Sequence, residues 1–211
     1  MFKILESYRT VGGYGQAEIV EKKSRFIAHV MPVKTEKEAL ENIEKIKKQY
    51  WDARHNVFAF QLGERNEIQR YSDDGEPSGT AGMPVLEVLR GEDIKDTLIV
   101  VTRYFGGTLL GTGGLVRAYG KSAKEGLLQA GIIERILYTQ LSITVDYTLS
   151  GKVQYEILQG EHILQDTVYT HNVEFKVLCR VSMTEGFVKN IINVTNGQAT
   201  VNIGENIYAD K

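Results

Sequence analysis

The sequence contains one cysteine, three prolines and no long apolar run. A lone cysteine excludes an intramolecular disulfide, which fits a reducing compartment. No segment approaches the roughly 18 consecutive apolar residues that a membrane-spanning helix needs, and the first residues lack the apolar core of a signal peptide. We therefore expect a cytoplasmic protein without a membrane partner.

The sequence also has little net charge, with a formal value of −2. This balance argues against a protein that coats nucleic acid over its whole surface. The charges are uneven, because residues 1–137 contain 20 Lys and Arg against 19 Asp and Glu, whereas residues 138–211 contain 5 against 8. A local basic patch in the first part is therefore compatible with the composition.

Apolar periodicity divides the 211 residues into two parts, 1–136 and 137–211. In the first part we predict strands at 17–20, 25–33, 56–62 and 98–104 and helices at about 35–50, 80–90 and 115–130. Thr35 and Glu38 form the pattern of a capping box. In the second part, alternating strands and two apolar stripes give the order β-α-β-β-α-β, which is typical of a ferredoxin-like domain. Cys179 lies in an alternating strand, so we predict a packed core thiol.

A glycine-rich stretch, RYFGGTLLGTGGL, follows the apolar strand that ends at Tyr104. Its glycines and the helix start beyond them favour a general anion site, because backbone N–H groups are exposed there. The residues that would form this site are Arg103, Gly106, Gly107, Gly111, Gly113, Gly114, Arg117 and Lys121. A tight turn without a ligand is the alternative interpretation. The stretch fits neither the phosphate loop of nucleotide hydrolases nor the dinucleotide fingerprint, because Leu115 and Val116 stand where those motifs require glycine.

An acidic stretch, SDDGEP, places Asp73, Asp74 and Glu76 close together. Such carboxylates could hold Mg²⁺ or supply a general base. The alternative is a turn and a helix start stabilised by nearby acids, and we predict no metal and no cofactor. His55 lies at the mouth of a predicted strand, where a structural role competes with a catalytic one. Ser72 or Ser78 could join His55 and Asp73 in a triad, but no nucleophile-elbow pattern accompanies them.

Two stretches resemble the signature of the IMPACT family, specifically its bacterial YigZ-type members. They are RYSDDGEPSGTAGMPVLEVLRG and VVTRYFGGTLLGTGGLVRAYGKSA, and the similarity spans roughly residues 15–130. The remainder is similar to the small C-terminal domain of bacterial members. The resemblance implies an α+β fold, with an N-terminal β-sheet that has helices on one face, like domain IV of elongation factor G. It also implies a ferredoxin-like βαββαβ C-terminal domain, like domain V of that factor.

The resemblance further implies a connection to translation. The family core begins near Ala17, without the separate N-terminal domain of eukaryotic relatives. The expected partner is therefore the ribosome, RNA or a translation-associated protein. The motif positions, which include Gly75, Pro77, Gly79 and Thr80, give a candidate binding surface of His55, Asp73, Asp74, Glu76, Arg103, Tyr104, Gly106, Gly107, Gly111, Gly113, Arg117 and Lys121.

Three functions are compatible with these residues. The first is a translation-associated binding protein that contacts RNA or the ribosome. The second is a protein-interaction module without chemistry. The third is a hydrolase, metal-assisted through the acidic stretch, that acts on a phosphorylated or nucleotide-like small molecule. The sequence leaves enzymatic activity and oligomeric state open.

Overall fold

The computed structural model describes residues 5–210. Residues 8–134 form one compact unit, and residues 135–210 together with residues 5–7 form a second. We call them the first and second units. None of the helices within residues 5–210 combines the length and apolar character needed to cross a membrane.

The first unit is built on an antiparallel sheet with the strand order β2-β3-β6-β4-β5. In chain order its elements are β1 (Ser7–Val11), β2 (Gly15–Glu21), β3 (Ser24–Pro32), α1 (Glu36–Gln49), β4 (His55–Leu62), β5 (Ile68–Ser72), α2 (Gly82–Gly91), β6 (Thr97–Tyr104) and α3 (Thr112–Ala130). β6 lies at the centre of the sheet and is buried on both faces, as its apolar run predicts.

Helices cover both faces of this sheet. Alternate side chains of a strand point to opposite faces, so Ala28 and Val30 of β3 pack with α2 and α3, whereas Met31 packs with Ile43 of α1. The α+β class is confirmed. The expected arrangement of helices on one face holds for α2 and α3, whereas α1 covers the opposite face. The reason is that the central strands are apolar on both sides, so each side needs a cover.

The second unit has the predicted order of elements. They are β7 (Ile132–Val145), α4 (Tyr147–Gln159), β8 (Ile163–Tyr169), β9 (Val173–Arg180), a 3₁₀ turn (Val181–Met183), α5 (Thr184–Val194) and β10 (Thr200–Asp210). The four strands form an antiparallel sheet in the order β10-β7-β9-β8. Cys179 is fully buried in the core of this unit, which confirms its predicted position, and burial raises the pKa of its thiol.

Three local features of the first unit can be compared with the sequence predictions. Thr35 accepts a hydrogen bond from the Glu38 N–H at 3.1 Å, as predicted, while Glu38 accepts from the Lys34 N–H at 2.8 Å. The edge strand β5, which lies between the predicted strand at 56–62 and the predicted helix at 80–90, was not predicted. α3 begins at Thr112, three residues before the predicted start, so Gly113 and Gly114 belong to its first turn.

Candidate functional site

Asp73 organises the acidic loop and the start of α2. One carboxylate oxygen accepts from the N–H groups of Ala81 and Gly82 at 3.1 and 2.8 Å, and the other accepts from the Gly79 N–H at 2.8 Å. The first N–H groups of a helix lack intrahelical partners, so this carboxylate satisfies donors that would otherwise be unpaired. Asp73 therefore acts as a cap supplied from the preceding loop.

Asp74 fastens the same loop to two neighbouring elements. Its carboxylate accepts from the Asn56 N–H of β4 at 2.6 Å and pairs with Lys47 of α1 at 3.1 Å. Its φ of +45° is unusual for a residue other than glycine. Both aspartates are thus engaged by the protein itself, and no cluster of three His, Cys, Asp or Glu side chains suited to a metal occurs among residues 5–210.

Glu76 differs from the two aspartates, because its side chain turns into a buried polar cluster. Its Oε1 accepts from Arg103 Nη1 at 2.6 Å and from the Tyr119 hydroxyl at 2.7 Å. The Glu76 and Arg103 side chains are only 4% and 7% exposed. Burial raises the pKa of Tyr119, and the Glu76 carboxylate beside it adds to this effect, so the tyrosine stays protonated and donates. The ion pair is therefore buried, and the carboxylate is held in a fixed orientation.

His55 stands at the edge of this cluster, at the first residue of β4. Its Nδ1 lies 2.8 Å from the Asp74 carbonyl oxygen, and a carbonyl can only accept, so Nδ1 is the protonated nitrogen. Its Nε2 lies 4.0 Å from Glu76 Oε1. The Asp73 carboxylate binds backbone N–H groups instead of His55, so the Ser72 or Ser78, His55 and Asp73 triad does not form.

A cavity opens over this cluster, and we call it the Glu76 cavity. It has a volume of about 420 Å³. Its polar end consists of His55, Glu76 and Arg103, and Arg54 also lines it. Its other walls come from Pro77, Phe105, Leu109, Leu110, Gly111, Thr112 and Leu115. The Arg103 guanidinium lies close to two aromatic rings, 5.4 Å from the centroid of Phe26 and 5.7 Å from that of Phe105. Such cation–π contacts help to hold its charge in a site that is poorly hydrated.

The glycines between β6 and α3 have different roles. Gly106 packs against the β2–β3 turn so tightly that a Cβ would lie 2.0 Å from the Lys23 carbonyl carbon, and its N–H donates to Ser24 Oγ at 3.1 Å. Gly107 and Gly111 have φ values of +81° and +73°, where glycine is favoured. Gly113 is helical and open to solvent. The segment thus brings the β2–β3 turn to the start of α3.

A second cavity of about 220 Å³ lies at this junction, and we call it the basic cleft. Its lining includes Lys22, Arg117 and Lys121, with Glu21 as the acidic member. Arg117 and Lys121 lie one turn apart on the exposed face of α3. Within residues 5–210 these three cations form no ion pair. The structure therefore divides the predicted basic set, because Arg103 is paired in the Glu76 cavity while Arg117 and Lys121 lie in the basic cleft.

The last predicted position, Tyr104, lines neither cavity, because it follows Arg103 in β6 and successive side chains of a strand point to opposite faces. Its hydroxyl donates to Asp52 at 2.7 Å, and the Arg25 guanidinium lies 5.5 Å from its ring centroid. Sequence reasoning did not select Arg54, Phe105, Tyr119 or Lys22 as site residues. A buried tyrosine in a helix is indistinguishable from core by periodicity. For Lys22 a local signal existed in the sequence. Lys22 and Lys23 connect two strands by a tight turn, where asparagine and glycine are preferred, so two lysines at these positions are unusual.

The comparisons with known proteins agree with the resemblance. Residues 22–127 match the family model described as Impact N-terminal domain, and residues 143–198 match a domain of unknown function, DUF1949. The chain is 49% identical to IMPACT family member YvyE of Bacillus subtilis over 208 residues, which is 99% of this chain and 96% of that protein.

Two further proteins resemble the chain at greater distance. It is 39% identical to IMPACT family member YigZ of Escherichia coli over 128 residues, which is 60% of this chain and 63% of that protein. A solved structure titled as the crystal structure of an hypothetical protein superposes with a TM-score of 0.61 at 28% identity, covering 96% of this chain and 99% of that one.

Proposed function

The chain belongs to the IMPACT family, and from this premise we propose that it is a translation-associated binding protein whose first unit contacts single-stranded RNA. The basic cleft is the main support for this proposal. A row of unpaired cations beside exposed apolar and aromatic side chains is the arrangement that single-stranded nucleic acid requires, because cations bind the phosphates and bases stack on the rings.

Charge and position favour a phosphate in the basic cleft. Lys22, Arg117 and Lys121 converge there with no ion pair of their own within residues 5–210. The cleft lies at the start of the 19-residue helix α3, which has no acid in its first turn. The positive end of the helix dipole adds to the attraction for an anion.

The β2–β3 turn supplies a second argument. Lys22 and Lys23 occupy its two central positions with φ values of +46° and +67°, where Asn and Gly are preferred. A non-glycine residue at positive φ costs stability, and such strain often occurs at functional sites. Lysine at a position that favours asparagine therefore points to a role for its charge.

The hydrolase alternative has less support. Asp73 and Asp74 direct their oxygens at backbone N–H groups and Lys47, which leaves Glu76 as the loop carboxylate that lines a cavity. The protein-interaction alternative uses the same surface, and an affinity pull-down with and without nuclease separates it from RNA binding.

Fluorescence anisotropy of a labelled single-stranded RNA in a series of KCl concentrations tests the proposal. Each phosphate contact contributes a slope of about −0.7 to the logarithmic dependence of affinity on salt, so three contacts give about −2. We expect Lys22→Asn and Lys121→Ala each to reduce this slope by about 0.7. Lys22→Asn keeps the turn, because asparagine tolerates positive φ.

The exposed Lys48 on α1, on the opposite face of the sheet, gives the matched control, and Lys48→Ala should leave the slope unchanged. Absence of RNA binding at low salt would refute the proposal, and so would unchanged slopes in both cleft variants. Co-sedimentation with ribosomes then tests the connection to translation.

A further inference from the structure

We propose that the Glu76 cavity receives one unstacked base of the RNA strand bound in the basic cleft, and that it selects guanine. This inference rests on the proposed RNA function. The two cavities adjoin, because Leu110 lines both of them. A strand whose phosphates lie in the basic cleft therefore has a cavity beside it for one of its bases.

The size and walls of the cavity suit a base. A volume of about 420 Å³ accommodates a nucleoside, whereas a purine ring alone fills only part of it. Phe105 and Leu109 are 42% and 83% exposed, which is high for apolar side chains beside a cavity. Unstacked bases are commonly held against aromatic rings of this kind, because each base has a flat apolar face.

The polar end of the cavity offers hydrogen-bond acceptors. Glu76 Oε1 already accepts from Arg103 and Tyr119, while Oε2 has no hydrogen-bond partner within residues 5–210. In the tautomer that donates from His55 Nδ1 to the Asp74 carbonyl, Nε2 is an acceptor, and it has no hydrogen-bond partner in the described chain either. These two acceptors favour a ligand that brings N–H donors, while the Arg54 guanidinium at the same cavity can donate to an acceptor of the ligand.

Guanine is the base that meets this requirement best. Its Watson–Crick edge carries two adjacent donors, N1–H and the N2 amino group, whereas adenine, cytosine and uracil each place an acceptor beside their donor. Glu76 Oε2 and His55 Nε2 can each accept from one of the two guanine donors, and the contact to the carboxylate is charge-assisted. For the other bases, the acceptor would face Glu76 and remain unpaired, which costs affinity.

The cluster is arranged in advance for this contact. Arg103 and Tyr119 fix the carboxylate, and the Asp74 carbonyl fixes the His55 ring. Binding therefore need not order these side chains, and less affinity is lost on association. By the usual discrimination of a paired base contact, we expect a preference for guanine of about tenfold.

Anisotropy titrations of hexamers at low salt, repeated at several KCl concentrations, test the inference. We would compare hexauridylate with hexamers in which one central position is guanosine, adenosine, inosine or 7-deazaguanosine. The guanosine hexamer should bind about tenfold more tightly than the adenosine and uridine hexamers. 7-Deazaguanosine should equal guanosine because its Watson–Crick edge is intact, and inosine should be intermediate because it lacks the N2 amino group.

Variants separate the base from the phosphate. Glu76→Gln should abolish most of the guanosine preference, and Phe105→Ala should reduce it because the ring holds the base beside Glu76, whereas Lys121→Ala should weaken all hexamers equally and keep the preference. Phe105 is partly exposed, so Phe105→Ala tests the cavity even if Glu76→Gln does not fold.

Equal binding of all hexamers with a persistent salt slope would overturn the base cavity and leave the proposed function standing. No binding of any hexamer at low salt would overturn both, and a preference for adenosine or uridine would overturn the assignment of guanine.

Discussion

Replacing Arg103 by methionine should destabilise the first unit strongly, because it leaves the Glu76 carboxylate buried without its cation. The two side chains are 7% and 4% exposed and their charged atoms are 2.6 Å apart. Removal of one partner of a buried ion pair costs about 3–5 kcal/mol, and we expect a loss in that range in the free energy of unfolding. Replacing both partners by uncharged residues should lower the free energy of unfolding by less than the sum of the two single changes.

Urea unfolding followed by circular dichroism gives the required free energies for Arg103→Met, Glu76→Gln and the double variant. The pair of Arg25 and Glu18 is the control, because it joins adjacent strands of the same sheet but has side chains 52% and 41% exposed. Water and salt screen exposed pairs, so Arg25→Met should shift the midpoint little. A loss below about 1 kcal/mol for Arg103→Met, comparable with a surface pair, would refute a buried, fixed carboxylate and with it the acceptor end of the Glu76 cavity.

Three further predictions concern other parts of the molecule. Burial lowers the pKa of His29 from 6.5 to about 4, so the unfolded chain binds one more proton than the folded chain between these pH values. The free energy of unfolding should therefore fall by up to about 3 kcal/mol as the pH decreases from 6.5 to 4. His29→Gln should remove this contribution in urea titrations at several pH values. Gly106→Ala should lower the free energy of unfolding by at least about 1–3 kcal/mol, because the added Cβ would overlap the Lys23 backbone. Gly113→Ala, in an open helical position, is the control and should leave the thermal denaturation midpoint unchanged or raise it. Cys179 is fully buried, so a thiol reagent such as DTNB should react with it only when urea unfolds the second unit; rapid reaction in the native protein would contradict its placement in the core.

Several elements could be predicted because their signals are local. The apolar run of β6, the cap at Thr35 and the alternation around Cys179 each specify an element from neighbouring residues. β5 was missed because this edge strand is largely exposed and lacks an apolar alternation. The start of α3 was placed too late because Gly113 has low helix propensity, which packing of the buried face of the helix overrides.

The sequence by itself determined the family, the α+β class and two of the stretches that line the two cavities, the acidic stretch and the glycine-rich stretch. It also determined that Asp73, Asp74 and Glu76 share one loop. It could not determine that only Glu76 of these three lines the cavity, because the direction of each side chain depends on the backbone of the folded loop.

The tertiary structure alone decided which cations act together. Arg103 pairs with Glu76, 27 positions away, while Lys22 meets Arg117 and Lys121 from a distant turn. Contacts between residues far apart in the chain depend on how the sheet and α3 pack, and no periodicity in the sequence records them. The predicted anion site was therefore divided into a buried ion pair and a basic cleft by packing.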